Sequence, residues 1–298
     1  MEFEVVAEGL KFPEGPVAMP DGSVIFVELL AGKLNRAWGN GKIEVIADLG
    51  GSPAGAAIGP DGAIYIANVG GVHREKFLCL EGPENTGYIS RVDLSTGRVE
   101  RLYDRCGEHS LSAPDDLVFD ARGNIWFTDI GRAFARSKEY GGLYYCAPDG
   151  SFINQAHFPG LSYNGVGLLP GEKSVVVADT RSARLLRFDL EAPGRIAPTP
   201  QGQSPAHLMA TIPGDCRVDS LAVLESGAVA VGVLEEGGIA TVRPDGSIDR
   251  VSFPDASVTN IAFGGPDMRT AFITLSRTGR VIKVRWPEPG LRLNFAEY

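Results

Sequence analysis

The chain has 298 residues, 44% hydrophobic and 22% charged, which supplies ample apolar material for a core and argues against disorder or a collagen-like repeat. Thirty-seven acidic against 28 basic residues give a formal net charge of −9, which opposes binding to phosphate backbones, and no basic run or aromatic RNA-reading motif offsets it. No apolar run approaches the roughly 18 to 20 residues that span a bilayer, and Met1-Glu2-Phe3-Glu4 lacks the basic start of a signal peptide, so a cytoplasmic protein with neither nucleic acid nor membrane as partner is expected.

In chain order, Glu2 to Ala7 reads as a strand that precedes the first repeat and has no partner within it. Four strands follow, near 14–19, 23–28, 33–38 and 42–47, separated by turns rich in Gly, Asp and Asn, which predicts an antiparallel meander. The stretch Lys11 to Glu28 then recurs, with turns at Gly22, Gly62, Gly123, Glu172, Gly227 and Met268, each followed by an apolar run such as Ile64-Tyr65-Ile66-Ala67. Six four-stranded meanders without helical periodicity predict an all-β, six-bladed β-propeller forming one domain over 1–298. The early strand near Phe3 to Ala7 is expected to close the last blade beside Arg280 to Arg285, because closure removes an exposed sheet edge.

Eight residues before the six turns stand Glu14, Ala54, Asp115, Asn164, Asp219 and Asn260. Asp, Glu and Asn make up about 15% of the chain, so five side-chain oxygens at one repeat position call for a reason. The first strand of each propeller blade lines the central channel, which brings Glu14, Asp115, Asn164 and Asp219 together at one mouth. By the same tracing, the second-to-third strand loops and the blade connections share that face.

Three segments there are long: Val69 to Thr86, Asp104 to Pro114, and Asp129 to Tyr140. They carry His73, Arg74, Lys76, Arg105, His109, Arg132, Phe134 and Arg136, a mixture suited to walling a pocket for a small oxygenated ligand or, equally, to a solvated loop. The Pro-rich stretch Glu191 to Pro205 falls on the opposite face and reads as a flexible connector. Cys79, Cys106, Cys146 and Cys216 lack the short spacing of zinc or dithiol sites and read as free thiols.

Oxygen-only donors suit a hard divalent cation, Ca²⁺ foremost, with Zn²⁺, Mn²⁺ or Mg²⁺ also compatible with carboxylates. Without one, Glu14, Asp115 and Asp219 around a narrow channel would repel and shift their pKa values upward. Each residue also has a local alternative: Asn164-Gly165 as a turn of positive φ, Glu14 and Asp219 as acceptors for nearby backbone amides.

The segments Phe12-Pro13-Glu14-Gly15-Pro16, Ala113-Pro114-Asp115-Asp116-Leu117-Val118-Phe119, Asn164-Gly165-Val166, Val218-Asp219-Ser220-Leu221-Ala222-Val223 and Thr259 to Asp267 resemble the senescence marker protein, gluconolactonase and luciferin-regenerating enzyme family. The resemblance covers nearly the whole chain. It implies that Glu14, Asn164 and Asp219 bind a divalent metal directly and that Asp219 doubles as general base. In that family the position of Asp115 is usually Asn, touching metal-bound water or substrate. The departures are Asp115 itself, Ala54 where related sequences often have Asn, and Tyr163 in place of Pro.

The expectation is a metal-dependent hydrolase of a lactone or similar small cyclic ester, with catalytic Asp219 and Asp115, and with Asp115, His73, Arg74, His109 and Arg132 facing the substrate. No Gly-x-Ser-x-Gly elbow or shared histidine motif points to covalent catalysis. Two alternatives stay open: a metal-dependent isomerase or lyase, which an ionisable Asp115 favours, and a non-catalytic propeller platform.

Overall fold

The computed structural model describes residues 1–296, so the last two positions of the expected 1–298 domain lie outside the described residues. The chain forms six four-stranded antiparallel blades arranged as a six-bladed β-propeller. Blade one comprises Pro13–Ala18, Val24–Glu28, Lys33–Ala37 and Ile43–Asp48, within a residue or two of the sequence expectation. Among the described residues the one helical element is the 3₁₀ turn Pro83–Asn85.

Burial falls from the axis outward. In blade one the first two strands are wholly buried, while Ile43–Asp48 at the rim is largely exposed. This is what radial stacking of small sheets requires, since inner strands meet neighbouring blades on both faces.

The six repeat turns share one conformation. Gly22, Gly62, Gly123 and Gly227 have φ between 74° and 83°, and Glu172 and Met268 take positive φ, at 53° and 55°, without being glycine. The Asp before the turn fixes it in four blades by accepting a nearby amide: Ser23 on Asp21, Ala63 on Asp61, Asn124 on Asp120 and Arg269 on Asp267.

The N-terminal strand Glu4–Ala7 pairs with Arg280–Arg285, with Glu4 opposite Lys283 and Val5 opposite Ile282, so the last blade is built from both ends of the chain. Val6 and Ala7 join a core cluster with Phe26, Phe272 and Val281 that spans blades one and six. The Ser276 hydroxyl, bonded to the Pro13 carbonyl at 2.6 Å, adds a second tie across the seam.

Within Glu191 to Pro205 the first six residues form a hairpin and not a loose connector, and 197 to 205 contain no strand. Arg184–Ala192 runs past the blade and Arg195–Ile196 folds back on it, pairing Leu190 with Ile196 and Ala192 with Arg195. The hairpin forms because Gly194 supplies the positive φ, at 74°, that the turn needs.

Beyond blade six, the C-terminal segment crosses the lower face, where the repeat turns lie. Gly290 N–H bonds the Met268 carbonyl, Leu291 N–H the Val223 carbonyl, and the Asn294 amide both the Phe119 carbonyl and the Glu172 carboxylate. Phe295 packs edge-on against Phe119. Residues 290 to 295 therefore tie together the lower ends of blades six, five, four and three.

Candidate functional site

The repeat residues lie at or beside a β-bulge in the innermost strand of every blade. The strand register shifts between Glu14 and Val17, Pro53 and Gly55, Pro114 and Leu117, Tyr163 and Val166, Val218 and Leu221, and Val258 and Asn260. A bulge inserts one unpaired residue and re-aims the side chain beside it, which turns ordinary strand positions into a ring facing the axis. All six ring residues are buried, Glu14, Ala54, Asp115, Asn164, Asp219 and Asn260 having between 4% and 9% of their surface exposed.

Close approach of neighbouring first strands explains the glycine after three ring residues. A Cβ on Gly15 would stand 2.6 Å from the Ala54 carbonyl oxygen, one on Gly55 2.5 Å from that of Asp115, and one on Gly165 2.7 Å from the Leu221 nitrogen. Gly165 lies within the strand Tyr163–Leu168 and is not among the positive-φ residues, so Asn164-Gly165 is a packing device and not a turn.

Burial and mutual repulsion both act on the ring carboxylates. Burial pushes the Glu14 carboxyl well above its usual range, reinforced by Asp219, Asp115 and Asp116 and opposed by a hydrogen bond with Thr259. Burial likewise raises Asp115, with Asp219, Asp116 and Asp129 adding to it. Asp219 is lifted to about 7 by burial, against a hydrogen bond with the Asn164 side chain. Ser220 Oγ donates to Asn164 Oδ1 at 3.2 Å, which holds that amide in place.

Asp116, which the repeat position does not include, adds a fourth buried carboxylate to Glu14, Asp115 and Asp219. Burial raises it to about 7, although the Leu117 and Val166 amides bond to it. Its signal in the sequence was the doubled acid Asp115-Asp116 at a position where blades one, two and four carry glycine.

A second ring was also missed. Glu28, Asn68, Asp129 and Asp179 end the second strands of blades one to four, fourteen or fifteen residues after the first ring, and all are buried. These accept backbone amides of nearby connections: Lys11 on Glu28, Ser52 on Asn68, Ser112 and Ala113 on Asp129, and Ser182 on Asp179. They clamp the chain at the upper face, a structural use of buried acids next to the candidate chemistry.

The loop positions separate into distinct groups. His73 and Arg74 lie exposed on the tip of the blade-two loop, whose Phe77 ring reaches Phe12 in blade one at 4.9 Å while Cys79 N–H bonds the Ala133 carbonyl in blade three. This loop thus overhangs from blade one to blade three. Arg132 is engaged by Glu139 at 2.8 Å and by the Gly82 carbonyl, so it joins two loops. His109 stands exposed beside Tyr144, on the third strand of blade three, two strands out from the axis. Lys138, not singled out beforehand, bonds the Ile130, Gly131 and Glu139 carbonyls and interacts electrostatically with Asp115, Asp129 and Asp179.

Glu14, Asn164 and Asp219 supply two carboxylates and one oriented amide oxygen, a donor set that fits a hard divalent ion. Among the described residues no three His, Cys, Asp or Glu side chains form a metal-binding group by themselves, so a site here depends on the asparagine oxygen. The four cysteines are unpaired thiols, with Cys106 and Cys146 buried. No helix is long and apolar enough to cross a membrane among the described residues.

Comparison with known proteins gives concordant matches. A lactonase drp35 of Staphylococcus saprophyticus is 32% identical over 49% of this chain and 41% of its own length, so that match spans less than half of the relative. A gluconolactonase of Zymomonas mobilis is 25% identical over 95% of this chain and 81% of its own. The calcium-binding protein regucalcin of Agrobacterium tumefaciens superimposes with a TM-score of 0.74 over 98% of both chains at 19% identity, a likeness of fold. Residues 12–277 match the region described as SMP-30/Gluconolactonase/LRE-like, which takes in every ring position, and the chain belongs to that family.

Proposed function

We propose that this protein is a divalent-metal-dependent hydrolase of lactones, acting at the upper mouth of the propeller. The observation that carries the reading is the bulge-built ring, in which Glu14, Asn164 and Asp219 present buried oxygens and the carboxyls are driven toward protonation by burial and by one another. A divalent ion held by these three supplies Lewis acidity toward the lactone carbonyl, with Ca²⁺ the first expectation for an all-oxygen set.

Asp219 takes the proton of the attacking water, as a ring carboxylate beside the proposed ion is placed to do. Asp115 lies in the same ring and holds a proton more readily than an ordinary aspartate, so it hydrogen-bonds the substrate oxygen as a donor where an amide would otherwise serve. Arg74 and His73 are the proposed polar contacts above the ring, Lys138 holds the loop carbonyls beside it, and the overhanging loop limits the ligand to a small molecule. Arg132 serves by fixing the loop through Glu139.

The test is proton release from sugar-derived, aliphatic and aromatic lactones by purified protein, with and without chelator. Chelator-sensitive release on at least one class, restored by a divalent ion, is the expected result. Metal-loaded protein that opens none of these rings would overturn the reading.

A further inference from the structure

Below the ring lies a chamber of about 460 Å³. Its walls come from the downstream halves of all six first strands, including Val17, Ile58, Phe119, Leu168, Val223 and Phe263. Residues 291 to 294 and 296, in the C-terminal segment that straps the lower face, floor it, held by the contacts of Leu291 and Asn294. A volume of this size with apolar walls and few polar groups has the character of a small-molecule site, and nothing in the carboxylate ring accounts for it.

Asn260 is the key polar group. Of the six ring residues it alone lines this chamber, while Glu14, Ala54, Asp115, Asn164 and Asp219 do not. It is 6% exposed, its backbone carbonyl accepts a bond from Thr274, and its side-chain amide has no hydrogen-bond partner among the described residues. The amide is not one of the sealed-off unpartnered groups of the described residues, so it keeps accessible surface, and an accessible amide in the lining of a cavity is open to a ligand or water.

The other polar groups of the lining are already engaged. Asp116 receives the Leu117 amide, Glu172 receives Asn294 and the Ala121 amide, and Arg292 donates to the Pro266 carbonyl. The chamber therefore offers no unpartnered charge to a charged ligand, and its acidic ceiling disfavours an anion.

We propose that the lower chamber is a second binding site, separate from the proposed hydrolytic mouth, for a neutral amphiphilic small molecule. Its single polar group pairs with the Asn260 amide, and its apolar body fills the space between the strands and the strap. Scaling the chamber's 460 Å³ from the 150 Å³ cavity that holds one benzene, the ligand has about eighteen non-hydrogen atoms. Entry is from the lower face, past a strap whose contacts are with blades three to six.

N-phenyl-1-naphthylamine, neutral, with one N–H donor and fluorescent in apolar surroundings, is a suitable probe. Full-length protein should bind it saturably and one to one, with a dissociation constant of about 10⁻⁴ M or tighter. Ala222→Phe, which fills the chamber from blade five, should abolish binding, and Ala262→Phe from blade six should do the same if the first variant fails to fold. Asn260→Ala should weaken binding about tenfold, the worth of one neutral hydrogen bond. No binding by the parent protein, or binding that survives a folded filling variant, would overturn the proposal, and unchanged affinity in Asn260→Ala would remove Asn260 from it. The readout is independent of lactone turnover, so failure here and failure of the hydrolase reading are distinguishable.

Discussion

The two ends of the central channel are made from the same six strands and differ in almost every physical respect. The upper end carries buried carboxylates that repel one another, beneath long loops. The lower end is apolar, rimmed by tight turns and crossed by the C-terminal strap. What separates them is one inserted residue per strand: above the bulge the inward positions carry ring residues, and below it they carry Val17, Leu168 and Val223. A single irregularity repeated around the axis thus gives one channel two chemistries.

The largest effect on this contrast should come from Asp219→Ala. Losing a metal oxygen and the proposed base together should lower lactone turnover by about 10² to 10⁴ and reduce bound metal measured by elemental analysis, while leaving probe binding below unchanged. Equal loss at both ends would mean that they are not independent.

Deleting residues 1 to 7 should affect both ends alike, because blade six loses its fourth strand and the buried side chains of Val6 and Ala7. A loss of about 3 kcal/mol or more in denaturant unfolding is expected from that burial and the exposed edge. Disruption confined to one end would show that the seam is not shared.

The pH dependence sharpens the comparison further. Asp116 and Asp219 sit at about 7 in the folded, metal-free protein, against 3.8 for an ordinary aspartate. Raised acids favour folding while protonated only in the folded state, so this stability is present near pH 4 and is lost as pH rises through 7. Metal-free protein should therefore melt higher at pH 5 than at pH 8, by roughly 5 °C, and a bound divalent ion should narrow the gap. A melting point that rises from pH 5 to pH 8 without metal would contradict the account of the ring.

The smallest expected effect is that of Asp115→Asn. Under the hydrolase reading Asn restores the family's usual amide, so turnover should stay within about tenfold and metal content should hold. A fall of about 10² to 10⁴ with metal retained would instead assign acid or base chemistry to Asp115 and favour an isomerase or lyase.

Repetition decided what the sequence could disclose. Six turns with a ring residue eight positions upstream are enough to place Glu14, Asn164 and Asp219 on one axis, because every blade repeats the same arithmetic. The closing strand was legible for a related reason, as a strand without a local partner must find a remote one. Features that occur once were not legible. Nothing in the spacing of His109 tells that its segment folds against Tyr144, and nothing in Arg132 reveals its pairing with Glu139, because loop contacts depend on neighbours that no repeat supplies. Asp116 and Asn260 were visible as letters, but the direction in which each faces follows from bulge geometry.

The seam in blade six has a consequence for biosynthesis. Glu4 pairs with Lys283, 279 residues further along the chain, so the N-terminal strand leaves the ribosome long before its partner exists. Until Arg280–Arg285 emerges, that strand is an unsatisfied edge and the inner blades lack their final neighbour. Contacts this distant slow folding and prolong exposure of sticky edges. A nascent chain halted between Val251, where blade five ends, and residue 280 would carry five complete blades and no closure, which makes late termination of this protein an aggregation hazard out of proportion to the residues lost.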